Sequence, residues 1–208
     1  MVAANMGIEP GQKAHLVRAT AYHEAAHVVV AWRFGKRLHE GGVVVNFDRP
    51  GEGRTYTPGW LVLPLARLPE EMRAVARRRL RAECMEFLAG YLAERRALGQ
   101  RGACAMGSDA MRAIMLIMRA HGCIRPIAEL HLHVYLKSTR RMIRQPVIWD
   151  AIDAIAQRLL ERGRLSAAEV AAVFAARALK PVALHHVGQL GNAPAIDRRA
   201  ALMRHKKK

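Results

Sequence analysis

The segment that most constrains the fold runs over residues 12–34, ends before Gly35, and becomes apolar almost all round after Ala25. A helix with that pattern has no face to offer to water, so other elements must pack around it on every side. The Val28-Val29-Val30 run has strand character, but it sits inside a longer Ala-rich stretch with a good helix stop after it. The chain of 208 residues is long enough for one domain with a substantial core. Aromatics make up only 5%, so that core must be built from Ala, Leu, Val, Ile and the 10 Met residues. The expected fold class is mainly α, with a helical body over residues 12–179, a lead at 1–11 and a basic tail at 180–208.

Six further segments fill in this body. Val43-Val44-Val45-Asn46-Phe47 reads as a short strand followed by Asp48-Arg49-Pro50-Gly51 turn chemistry, and Thr55 to Leu63 as a second extended piece interrupted at Pro58-Gly59. Together they make a small β element attached to helices. Pro69-Glu70-Glu71 opens a helix reaching about Leu98, with the acids at the positive end of its dipole. A helix from Ser108 or Asp109 to His121 carries Met111, Ile114, Met115 and Met118 at helical spacing, which predicts a core stripe. Residues 124–163 read as helical with a break near Gln145-Pro146, and Ser166-Ala167-Ala168-Glu169 is a capping box for a last helix.

The composition excludes several classes. With 34 Lys and Arg against 17 Asp and Glu, the net charge is +17. No apolar run reaches the ~18–20 residues a bilayer span needs, and the first thirteen residues lack the apolar stretch of a secretory signal. A cytoplasmic location is the expectation. Cys84, Cys104 and Cys123 contain no C-x-x-C pair and read as small buried hydrophobes.

The chemistry is concentrated in His23-Glu24-Ala25-Ala26-His27. Residues four apart on a helix share a face, so both imidazoles can reach one zinc ion, one per chain. Zinc brings the pKa of its water toward about 7, and Glu24, one residue on, is placed to take the proton as general base. Unpaired imidazoles in so apolar a helix would be costly without a metal. A catalytic zinc needs a third protein ligand, and Val30 and Arg33 occupy the positions where H-E-x-x-H-x-x-G-x-x-H would supply it. Glu83, Glu86, Glu94 and Asp109 all remain available.

The segment Ala21-Tyr22-His23-Glu24-Ala25-Ala26-His27-Val28-Val29-Val30 resembles the A-x-H-E-A-G-H-A-V-V motif of FtsH-type zinc metallopeptidases, the protease domains of membrane-anchored AAA+ proteases. Leu88 to Glu94 is similar to that family's L-G-G-R-A-A-E. Gly107-Ser108-Asp109 with Ala113 resembles its T-G-A-S-N-D-L-x-x-A segment, and Trp149 to Phe174 its C-terminal helical pair. The likeness covers about residues 12–175. It implies Asp109 as the third zinc ligand. It also implies that Val43, Val44, Val45, Asn46 and Phe47 form the edge strand that holds an extended peptide by main-chain pairing. Ala26 and Ala89 replace glycines of the family pattern.

The implied function is zinc-dependent endopeptidase action on peptides or unfolded proteins. With no ATPase module, no phosphate loop and no membrane anchor in the sequence, the expectation is ATP-independent cleavage of extended chains, with a separate ATPase or a homo-oligomer as candidate partners. Two alternatives compete: a non-catalytic zinc-stabilised binding protein of the same fold, and a basic nucleic-acid-associated protein. The second draws on Arg73, Arg77, Arg78, Arg79 and Arg81, on Lys137, Arg140, Arg141 and Arg144, and on the C-terminal lysines. His131 and His133 alternate and diverge by about 160° on a helix, so they read as ordinary helix-surface residues.

Overall fold

The computed structural model describes residues 9–60, 62–99 and 107–181. Among the described residues six α-helices accompany a small sheet, in the order α1 (Pro10–Arg33), β1 (Val43–Val45), β2 (Gly53–Thr55), α2 (Glu70–Ala97), α3 (Ser108–His121), α4 (Arg125–Ile143), α5 (Pro146–Arg162), β3 (Arg164–Leu165) and α6 (Ala167–Ala176), with α1 and α5 packed on the strands. The fold is mainly α with one small antiparallel sheet. Cys104 and the basic tail beyond residue 181 lie outside the described residues.

Helix α1 is the hub. Ala21, Ala25, Ala26, Val29 and Val30 are completely buried between α2, α5 and the sheet. The valine run stays helical because tertiary packing encloses it on all sides, which outweighs its modest β preference. A second apolar cluster forms where the first half of α2 meets α3 and α4, around Leu80, Cys84, Ile117 and Leu132. Proline opens α1, α4 and α5, and the Ser166/Glu169 capping box starts α6 with both reciprocal bonds in place.

Expectations about buried side chains and about the sheet are corrected. In α3 the buried face is Ala110, Ala113, Ile114, Ile117 and Ala120, whereas Met111 and Met115 point to solvent, Met115 being 64% exposed. The stripe is rotated by about one residue, because α3 approaches its neighbours closely on alanines and the larger methionines fit only outside. Of the described cysteines, Cys84 is buried but Cys123 is only half-buried at the α3–α4 turn.

The second correction concerns the sheet. Its order is β2-β1-β3, so Val43–Val45 is the central strand and not an edge. Val43 pairs with both Thr55 and Leu165, and Val44 with both Arg54 and Arg164. The strand ends earlier than expected, because Asn46 Oδ1 accepts from the N–H groups of Asp48 and Arg49 at 3.0 and 3.1 Å and turns the chain. The two-residue partner β3, placed directly after Gly163, carries no strand pattern that a sequence reading could find.

Candidate metal centre and cleft

His23 and His27 stand one turn apart on α1, their rings edge to face with centroids 4.7 Å apart. Each Nδ1 has an acceptor behind it. His23 Nδ1–H donates to Glu94 Oε2 at 3.3 Å, and His27 Nδ1–H donates to the Glu86 carbonyl at 2.8 Å. Because carboxylate and carbonyl oxygens only accept, the Nδ1 atoms carry the protons and both Nε2 atoms face forward. There they meet one oxygen: Asp109 Oδ2 lies 3.1 Å from His23 Nε2 and 3.3 Å from His27 Nε2.

Of the four carboxylates open to the sequence reading, only that of Asp109 reaches both Nε2 atoms. Glu94 sits behind His23, while Glu83 and Glu86 turn away to Lys36 Nζ at 2.6 Å each. Among the described residues, His23, His27 and Asp109 are the one group of three metal-ligating side chains with converging donor atoms, all within 4.8 Å of one another. Two nitrogens and one oxygen suit zinc with a fourth position left open. The protonation pattern fits the same requirement. Two lone pairs aimed at a carboxylate oxygen repel it unless a cation or a proton lies between. Burial lowers the His23 pKa, but the hydrogen bonds to Asp109 and Glu94 outweigh it and raise the value to about 9. Burial pushes Asp109 upward, and the histidine hydrogen bonds overcome that to hold it well below the usual carboxylate range.

Glycine makes the arrangement possible at two places. Gly90 lies inside α2, where glycine costs about 0.5–1 kcal/mol relative to alanine. A Cβ there would sit 2.5 Å from His23 Nε2, so the bare backbone gives the imidazole its space. On β2, a Cβ at Gly53 would sit 2.6 Å from both Glu24 Cγ and Thr20 Cγ2. This close approach brings Thr55 Oγ1 to Glu24, donating to Oε2 at 2.7 Å with the Glu24 carbonyl at 3.2 Å. Glu24 is buried yet lines a cleft of about 780 Å³ that also exposes His23, His27 and Asp109.

The sequence reading missed Gly53, the Thr55 contact to Glu24, and Lys36; it offered Glu94, Glu83 and Glu86 as possible ligands, where Glu94 stands behind His23 and the other two pair with Lys36. Gly90 was noted only as part of a resemblance, although an interior helix glycine is itself a signal of close approach. None of Val43, Val44, Val45, Asn46 or Phe47 lines the cleft. Strand β2 does. Tyr56 N–H donates to the Gly42 carbonyl and Asn46 N–H to the Glu52 carbonyl, so residues 52, 54 and 56 turn their main-chain groups toward β1. The main-chain groups of Gly53 and Thr55 therefore face the open edge beside Glu24.

The basic clusters are exposed at Arg77, Arg78 and Arg81 on α2 and at Lys137, Arg140 and Arg141 on α4, with Arg144 just past its end. His131 stacks on His121 at 4.5 Å, and His133 donates from Nδ1 to the Glu129 carbonyl at 2.8 Å within its own helix. No described helix is long and apolar enough to cross a membrane. Class and site thus stand as a mainly α domain with a candidate two-histidine, one-carboxylate metal centre at the floor of a cleft. No protein-family model matches the chain, and no curated protein matches it either.

Proposed function

We propose that the protein is a zinc-dependent endopeptidase resembling the FtsH-type peptidase domains, acting on extended or unfolded polypeptides. The observation that carries this reading is the meeting of both Nε2 atoms of an H-E-x-x-H helix with Asp109 Oδ2 at 3.1 and 3.3 Å, beside Glu24 in an open cleft. His23, His27 and Asp109 would hold the metal. Bound there, zinc supplies Lewis-acid polarisation of a carbonyl and a water of lowered pKa.

The chain's own residues do the rest. Glu94 and the Glu86 carbonyl fix the tautomer and direction of the two imidazoles. Thr55 donates to Glu24 Oε2 and so leaves Oε1 as the proton acceptor. The open edge of β2 offers the main-chain groups of Gly53 and Thr55 to an extended peptide, the role first expected of residues 43–47. A folded substrate has those groups already paired, so flexible chains are the expected targets.

The test is zinc content and peptide hydrolysis in the wild type and in Glu24→Gln. The variant should keep one zinc per chain and its fold while losing about 10²–10⁴-fold in rate, the usual worth of general-base catalysis. Equal rates would remove Glu24 from the chemistry, and a wild type that retains no supplied zinc would end the proposal. A second reading, nucleic-acid association, draws on the exposed arginines of α2 and α4. Filter binding across salt concentrations separates it, since phosphate-driven binding falls steeply with salt.

A further inference from the structure

We infer that the cleft selects acidic segments of polypeptide, through Arg54 on β2 and Arg112 on α3. The inference rests on the endopeptidase reading and assigns it a substrate class. Each cleft carboxylate is already engaged: Glu24 by Thr55, Glu94 by His23, Glu86 by Lys36 and Thr57, and Asp109 by both histidines. Arg54 has no such partner. It forms no ion pair with any described residue, and its guanidinium lies over the Tyr56 ring at 5.6 Å. Tyr56 in turn is seated where Gly41 has no side chain, since a Cβ there would come within 2.8 Å of the ring. The cation is thus held on a strand at the open edge and is not a freely swinging surface group.

Arg112, with a side chain 66% exposed, stands at the start of α3 and reaches Asp109 Oδ1 only at 3.5 Å. The uncompensated charge offered to a peptide along β2 is therefore positive. A strand added to β2 places its own side chains beside Arg54, where opposite charges attract and like charges repel. The overall charge of +17 draws acidic chains toward the molecule from farther away. Arg54 and Arg112 are specificity-determining residues in this scheme and take no part in bond cleavage.

The test uses full-length Glu24→Gln protein loaded with zinc, and three fluorescein-labelled ten-residue peptides identical except for Glu, Gln or Lys at alternate positions. Fluorescence anisotropy should show the Glu peptide binding about 5–10-fold more tightly than the Gln peptide, with the Lys peptide weakest. The preference should shrink on raising salt to about 0.5 M. Adding Arg54→Glu should reverse the order, whereas Arg141→Glu, an equal charge change on α4, should leave it intact. Arg54→Gln, a milder change at an exposed site, should flatten the preference without disturbing the circular dichroism spectrum. Equal binding of Glu and Gln peptides, or an equal effect of Arg141→Glu, would overturn the inference while leaving the peptidase reading in place. If no peptide of any charge binds and the wild type cleaves none, the peptidase reading itself fails, and the inference with it.

Discussion

The cluster of Lys36, Glu83 and Glu86 and the cluster of His23, His27 and Asp109 meet at Glu86, whose side chain belongs to the first and whose carbonyl orients the second. The first contains its own cation. Lys36 Nζ lies 2.6 Å from both carboxylates, Trp60 N–H and Thr57 Oγ1 add hydrogen bonds at 2.6 Å, and the Trp60 ring lies under the ammonium at 5.1 Å. Its charged side chains are almost sealed from water, at 1%, 5% and 8% exposure. The second cluster opens onto a cleft; among the described residues Arg112 is the one lysine or arginine paired with it, through Asp109 Oδ1 at 3.5 Å, and His23 holds the proton that a metal would displace. Buried charge is therefore not by itself a sign of function. A cluster that satisfies itself holds the fold together, whereas donors that converge beside an open cleft are free to take up a group from outside.

The largest expected effect breaks the closed cluster. Lys36→Met leaves two buried carboxylates without a cation and should cost about 3–5 kcal/mol in chemical denaturation. Zinc stoichiometry of the fraction that remains folded should be unchanged. A loss below about 1 kcal/mol would mean that the carboxylates take up protons instead, in keeping with the upward push that burial gives Glu83.

A smaller effect probes the open cluster from behind. Glu94→Gln removes the negative charge from the acceptor for His23 Nδ1–H while keeping an amide oxygen. Zinc affinity, measured by competition with a chelator, should fall about 10–100-fold, as with other partners of metal-ligating histidines. Unchanged affinity would remove Glu94 from the support of the site.

The last effect is a dependence on pH that belongs to the open cluster. In protein stripped of metal, His23 titrates near 9 against an ordinary 6.5. A raised pKa means the folded state holds the proton more tightly. The resulting stabilisation is complete below about 6.5 and drains away as the pH rises through about 9. Asp109, depressed, contributes in the opposite direction: its share is present above its ordinary value and lost as the pH falls below it. Metal-free protein should thus lose denaturation midpoint between pH 6.5 and 9, and His23→Gln should flatten that slope. Zinc binding should strengthen over the same range, because the metal displaces the His23 proton. A metal-free stability that rises from pH 6.5 to 9 would contradict the assigned geometry.

Local pattern alone located the helices, the capping box at Ser166 and Glu169, and the H-E-x-x-H face, because each is written in residues at most four apart. The burial of α1 was equally legible, since a helix with no polar side can go nowhere else. Asp109 is 82 residues from His27 in the sequence, and no spacing rule links them; its place was implied by a resemblance and by no local pattern. Which carboxylate faces the imidazoles, and which turn to Lys36, depended on how α2 and α3 pack on α1.

The sheet shows the same division. Val43–Val45 carried the strong strand signal, and its valines fill a position paired on both edges. The weaker segment Gly53–Thr55, with a glycine and an arginine, took the open edge beside Glu24. Strand character is a property of side chains and can be read from them. Edge or centre is a property of neighbours, and β3 became a neighbour of β1 only when the chain had returned from α5 through Gly163.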